Sequence, residues 1–318
     1  MEIRGKTILV IGGAGFIGSH VVDLLLKEDV GKVIIYDNFS RGTIENLKEA
    51  LKDPRCIIFD IGGDILQTDI LDEAMKLSDA VIHLAAVWLL QCQDFPRTAF
   101  DVNIRGTFNV LESCVKNNIE RLIYSSSASV YGNAIKKSIS EDHPYNNHTF
   151  YGATKIAGEH MFKSLHRRYG LEGLVLRFMN VYGPRQLYNS VYTSVIIRVL
   201  DNIKKGISPI VYGDGSQSFD FTNVLDTARS NIVALKSDVP FGFYNVGKGV
   251  GTSIKSLVEM ILRISKSDLE IEYKEVEEEF VTNRLCDPTK TAKDLSFTCE
   301  IGLEDGLQDL IEWRNNNI

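Results

Sequence analysis

Apolar residues in the first half of the chain fall into short, nearly unbroken runs at 8–11, 32–36, 56–59, 80–84, 122–126 and 174–178. Such runs lack the polar–apolar alternation of a half-exposed strand, so they predict strands covered on both faces. Between them, residues 16–26, 45–51, 70–75, 98–117 and 153–169 predict helices. This alternation predicts an α/β fold, a doubly wound parallel sheet with helices on either side. In such sheets ligands sit beyond the carboxyl ends of the strands, so the residues just after each strand are the first place to look for chemistry.

The rhythm breaks after Phe178. Residues 179–222 hold the loop Gly183, Pro184, Arg185, a helix near 191–204 and a turn at 212–215. Residues 226–236 and 242–246 predict a helix and strand that return to the sheet. Residues 250–318 predict helices and short strands, with an acidic run at 275–279 that reads as a solvated face. The pattern divides the chain into two bodies: a sheet domain of 1–178 and 223–249, and a smaller discontinuous lobe of 179–222 and 250–318.

The chain has 318 residues and a formal charge of −7, which argues against nucleic acid or an anionic membrane as the main partner. Its five cysteines are odd in number and lack metal-site spacing, so neither a disulfide framework nor a zinc site is expected. No apolar stretch is long enough for a membrane span, and the N-terminus carries no cleavage pattern after its apolar run. A soluble, cytoplasmic protein is expected.

Gly12, Gly15 and Gly18 lie between the first strand and the first helix. Without Cβ atoms they permit a tight turn, close approach of a pyrophosphate, and close packing of helix on strand. The helix N-terminus then offers free N–H groups to the negative charge. Asp37 ends the second strand, where a carboxylate can take the ribose hydroxyls of an adenosine and repel a 2′-phosphate, which favours NAD over NADP. Tyr151 and Lys155 stand one helical turn apart and project to one face. A nearby cation lowers a phenol's pKa toward the range of a useful base. Ser127 closes a serine triplet at the end of the fifth strand, where its hydroxyl can bond a reacting oxygen.

The ordered set Gly12/Gly15/Gly18, Asp37-Asn38, Asp64-Ile65, His83 to Ala86, Asn103, Gly106-Thr107, Ser125 to Ser127, Tyr131-Gly132, Tyr151/Lys155, Arg177 to Asn180, Tyr182 to Arg185 and Gly213 to Gly215 spans nearly the whole chain. It resembles the extended branch of the short-chain dehydrogenase/reductase superfamily, specifically its NAD-dependent nucleotide-sugar epimerases and dehydratases. The resemblance implies a Rossmann-type sheet and NAD as cofactor. It places the pyrophosphate on Gly12, Gly15, Gly18 and the backbone of Phe16 and Ile17. Asp37 and Asn38 take the adenosine ribose, Asp64 and Ile65 flank adenine, and Leu84, Ala85 and Ala86 line the cleft.

By the same resemblance Tyr151 is the base, and Lys155 binds the nicotinamide ribose and acidifies Tyr151. Ser127 holds the sugar hydroxyl, Asn180 contacts the diphosphate, Tyr212 stacks on the nucleobase and Arg284 pairs with the diphosphate. A homodimer through the helices at 98–117 and 153–169 is also implied. His83, Asn103 and Thr107 read instead as packing residues that hold neighbouring segments.

Residues 127–132 read Ser-Ala-Ser-Val-Tyr-Gly, whereas the family's dehydratases resemble T-D-E-V-Y-G and its decarboxylases S-E-V-Y-G. Expelling water needs a general acid, which Ala128 cannot be. The pattern therefore suits a UDP-hexose 4-epimerase-like enzyme that works through a transient 4-keto sugar. A 4-ketoreductase, a decarboxylase, an epimerase at another carbon, or an NAD-binding regulator without activity stand as alternatives. Phe219 occupies a position where many relatives carry an arginine. The apolar stretch 87–92 either shapes an unusual sugar pocket or packs against the second lobe.

Overall fold

The computed structural model describes residues 1–136, 138–186, 194–275 and 283–317. The six apolar runs form β1 (Thr7–Ile11), β2 (Lys32–Tyr36), β3 (Cys56–Ile58), β4 (Ala80–His83), β5 (Arg121–Ser127) and β6 (Gly173–Phe178). Next come β7 (Asn180–Tyr182), β8 (Ile210–Tyr212), β9 (Ser218–Asn223) and β10 (Phe241–Val246). The last strands are β11 (Gly251–Ser253), β12 (Glu272–Lys274) and β13 (Asn283–Arg284). One seven-stranded sheet runs β10-β6-β5-β4-β1-β2-β3, and every neighbouring pair in it is parallel. The strand order reverses between β1 and β4, which puts the ligand crevice at the ends of those two strands.

Successive side chains of a strand point to opposite faces. Here both faces are covered, which is why the runs show no alternation. Ile8, Val10, Val33, Ile35 and Ile82 pack in one cluster with residues of the helices Phe16–Leu25 and Val224–Lys236. Leu9, Ile11, Ile34, Val81 and Tyr124 pack in another with residues of the helices Thr68–Lys76, Thr107–Lys116 and Phe150–Tyr169. A separate apolar cluster joins the helices Val195–Lys204, Ile254–Ile264 and Leu303–Asn317 to Val211 and Phe221. Leu295 and Phe297 pack in the first cluster rather than in this one.

Three expectations meet a different local structure. Residues 98–117 are not one regular helix. Pro96 opens a short helix Pro96–Ala99, the chain then winds wide through the π-turn Phe100–Gly106, and regular winding resumes at Thr107–Lys116. Asn103, inside the wide turn, is held by its amide to both N and O of Val87, a tertiary bond no helical periodicity reveals. Residues 45–51 form two single 3₁₀ turns, Glu45–Leu47 and Ala50–Lys52, where Asn46 reaches away to the Ala14 carbonyl. The helix near 191–204 begins at Val195 among the described residues, and most of the acidic run 275–279 lies outside them. None of the described helices is long and apolar enough to cross a membrane.

Candidate active site

The turn after β1 is built so closely that glycine is required. A Cβ on Gly18 would stand 2.0 Å from the Gly12 carbonyl oxygen, and one on Gly12 would stand 2.8 Å from the Ala85 nitrogen. The helix Phe16–Leu25 starts with Gly15 as N-cap and no side chain closes it, so its first N–H groups point out of the turn unpaired. These groups fit a dinucleotide's pyrophosphate, which needs open backbone, free N–H donors and no side chain in the way. Gly18→Ala is expected to weaken NAD affinity about tenfold or more through the backbone shift it forces, a loss that titration calorimetry would register.

Asp37, at the end of β2, accepts from Ala14 N at 2.9 Å and Phe39 N at 2.8 Å, which ties its carboxylate to the glycine turn. Burial raises its pKa and those two N–H bonds oppose the rise. Asn38 beside it is exposed. On the same side of the crevice, after β3, Asp64 caps its own turn at Leu66 N, 2.9 Å away, and Ile65 is buried. Leu84 N donates to Ile11 O at 2.8 Å, so residues 84–86 continue from the end of β4 directly over the glycine turn. The two halves of the expected cofactor site are therefore brought together.

Thr149 caps the helix Phe150–Tyr169 by accepting from Gly152 N at 3.1 Å, and Gly170 ends it in the left-handed conformation. The helix thus starts three residues earlier than its periodicity indicates, and Tyr151 lies in its first turn. The Tyr151 ring packs in a small apolar cluster of Val87, Cys92 and Ala99. Burial pushes its phenol well above the ordinary tyrosine range, while a hydrogen bond with Ser127 and the charge of Arg41 pull it down. Lys155, unlike the half-buried Tyr151, is buried, and burial lowers its ammonium to about 8. Its Nζ donates to the Ser125 carbonyl at 2.7 Å and lies 5.7 Å from the centre of the Tyr151 ring. Ser127, Tyr151 and Lys155 meet at the carboxyl end of β5. In this state the cation acting on the phenol is Arg41, with Lys155 directed to the strand-end carbonyl.

On the other side of the crevice, Asn180 donates to Asp220 O at 3.2 Å and links β7 to β9. Tyr212 ends β8 with 38% of its surface exposed, a face open for stacking. Arg284 is buried, and its Nε donates to Gly132 O at 3.0 Å. Burial alone lowers it to about 10; no described anion stands near enough to oppose that. A buried guanidinium with no carboxylate partner among the described residues is suited to an anionic ligand. Phe219 pairs with Arg284 in the register of β9 and β13 and packs edge-on against Phe221, 6.3 Å away. Within the stretch 87–92, Val87 and Cys92 pack around Tyr151.

Several residues of this site escaped the sequence reading. Arg41 reaches across from the loop after β2, its guanidinium carbon 5.8 Å from the Trp88 ring centre. Ser126 and Glu159 bond each other one helical turn beyond Lys155. The four-residue spacing of Tyr151, Lys155 and Glu159 was the available signal for the last of these.

Two histidines flank the crevice without entering it. His20 donates to the Pro184 carbonyl at 3.0 Å, and His83 pairs with Thr107 Oγ1 at 3.2 Å, as its packing role anticipates. Burial is the main cause that lowers them, to about 4 and about 3 respectively. Both stay neutral in the folded chain at a pH where an unfolded histidine takes up a proton. The stability they contribute is present above pH 6.5 and is lost as pH falls toward their folded values. Going from pH 7 to pH 5 is expected to remove about 4 kcal/mol through this pair, measurable by urea unfolding at both pH values.

The sequence profile of the NAD-dependent epimerase/dehydratase family matches residues 8–247. A Methanocaldococcus jannaschii protein provisionally named a UDP-glucose 4-epimerase is 36% identical over 98% of this chain and 99% of its own length. A UDP-N-acetylglucosamine 4-epimerase from Methanobrevibacter ruminantium, solved with UDP-N-acetylmuramic acid, superposes with a TM-score of 0.92 at 34% identity, over 99% of this chain and 100% of its own. A UDP-glucose 4-epimerase from Thermotoga maritima, solved with UDP-glucose, gives a TM-score of 0.90 at 30% identity, over 98% and 99%.

Proposed function

Since this chain belongs to the NAD-dependent epimerase/dehydratase family, we propose that it inverts carbon 4 of a UDP-hexose through a transient 4-keto sugar. The observation that carries this reading is the meeting of Ser127, Tyr151 and Lys155 beside the glycine turn, with no carboxyl group at position 128 or 129. NAD held there would supply reversible hydride chemistry at carbon 4, and its nicotinamide charge would favour the phenolate. Tyr151 takes the proton of the carbon-4 hydroxyl and gives it back to the same oxygen after the ketone has turned. Ser127 holds that oxygen within reach of the phenol. Lys155 holds the nicotinamide ribose while it stays on the Ser125 carbonyl. Asp37 and Asn38 take the adenosine ribose, Asp64 and Ile65 take adenine, and Leu84 to Ala86 line the path between.

Residues 1–178 and 223–249 form the cofactor body in this reading. Residues 179–222 and 250–318 form the lobe for the nucleotide sugar, with Asn180 and Arg284 on the diphosphate and Tyr212 on the base. Phe100, Phe108 and Phe150 are exposed on the helical segments around 98–117 and 150–169, which supports a homodimer through those helices, testable by sedimentation.

Proton NMR of UDP-glucose, UDP-galactose and their N-acetyl forms, each incubated with protein and NAD, tests the activity. Appearance of the carbon-4 epimer without net change in NADH is expected. Net formation of NADH with a 4-keto sugar would instead identify a 4-ketoreductase running in reverse, and four unchanged spectra would reject the substrate class.

A further inference from the structure

Three consecutive residues at the end of β5 each hold a different turn of the helix Phe150–Tyr169. The Ser125 carbonyl takes Lys155, the Ser126 hydroxyl donates to Glu159 Oε1 at 2.6 Å, and the Ser127 hydroxyl faces the Tyr151 phenol closely enough to lower its pKa. Tyr151, Lys155 and Glu159 are spaced four apart, so they line one face of the helix on successive turns. Strand end and helix therefore mesh like a short rack, and the third tooth stands apart from the reacting groups.

That tooth is fixed from several directions. Glu159 is fully buried, and both of its oxygens are occupied. Oε1 also accepts from Arg177 Nε at 2.9 Å, while Oε2 accepts from Arg177 Nη2 at 2.7 Å and from Tyr145 Oη at 2.9 Å. Arg177 lies beside Ser126 in the register of β5 and β6. Its Nη1 continues to Tyr131 Oη at 2.7 Å, which donates to Asn245 on β10, also at 2.7 Å. Four donors converge on this one side chain, and only an acceptor-only group can satisfy all of them. Its position is thus set by the three adjacent strands β5, β6 and β10, and it in turn sets the height of the helix.

We propose that Glu159, acting through Ser126, is a positioning residue that fixes the height of the catalytic helix against β5, so that Tyr151 meets Ser127 and Lys155 meets the Ser125 carbonyl. This rests on reading Tyr151 as the base. The contribution is geometric: a misplacement of about 1 Å at a reacting group costs on the order of a hundredfold in rate. Ser126→Ala is the informative variant, because Glu159 keeps Arg177 and Tyr145 and the buried charge stays paired. Ser126→Thr retains the hydroxyl.

Both variants, Tyr151→Phe and the wild type are compared in kcat and KM, melting temperature, and hydrogen exchange of backbone amides 150–156. Ser126→Ala is expected to lose at least about tenfold in kcat with KM nearly unchanged, and its first helical turn to exchange faster. Ser126→Thr is expected to restore both. A kcat for Ser126→Ala close to wild type, with unchanged exchange in that turn, overturns the proposal even if melting falls, since that is what a merely structural bond would give. If the wild type converts no nucleotide sugar, the functional reading fails, and the exchange comparison still decides whether Ser126 holds the helix.

Discussion

Tyr151→Phe is expected to lower kcat for epimerisation by about a thousandfold while leaving KM and NAD binding nearly intact. The substitution removes one oxygen and nothing else. The ring keeps its place among Val87, Cys92 and Ala99, and Lys155 keeps its bond to the Ser125 carbonyl. Ser127 loses a partner but remains the N-cap of the turn Ala128–Tyr131, accepting from Ser129 N at 3.1 Å. Without the phenol no group at this spot can take the carbon-4 proton: Ser127 is too weak an acid–base pair near neutral pH, and Lys155 faces the strand end. The comparison requires kcat and KM from a coupled assay, with the cofactor content of each purified protein. A variant that retained a tenth of wild-type kcat would show that the proton passes elsewhere.

The largest effect on stability is expected from Arg177→Met. Glu159 and Arg177 form an ion pair at 2.7 Å with side chains 0% and 3% exposed. Methionine is of similar length and apolar, so the change leaves little empty space. It does leave a carboxylate sealed inside the protein with only two hydroxyl donors. Breaking a buried pair in this way costs about 3–5 kcal/mol, because the remaining charge has neither water nor a counter-ion. Combining it with Glu159→Gln removes the stranded charge and is expected to recover a large part of that loss, whereas independent sites would simply add. Urea unfolding of the two single variants, the double variant and the wild type measures the cycle. Additive losses would mean that the pair is not coupled as its geometry requires.

The sheet was legible because burial on both faces writes itself as unbroken apolar runs, and each of the six runs became a strand within a residue or two of its expected ends. The glycine turn and the Ser127–Tyr151–Lys155 meeting were legible because their chemistry demands particular residue types at strand ends and one turn apart. Other features leave no such trace. That Glu159 and Arg177 pair is written nowhere locally: helical spacing marks the first and the apolar run the second, and only the fold brings them together across 18 positions. Arg41 likewise belongs to a polar loop, and nothing local says that it will lean over Trp88 toward Tyr151. Of the stretch 87–92, whose place the residues leave open, Val87 and Cys92 pack around Tyr151 through tertiary contacts.

The wide turn Phe100–Gly106 makes the number of residues matter there more than their identity. Excising one residue would let ordinary pitch close up and swing the segment before it about 100° around the axis relative to the helix Thr107–Lys116. Asn103 would then leave Val87, or Thr107 would leave His83. Two tertiary bonds, one within the wide turn and one just after it, thus lock its residue count.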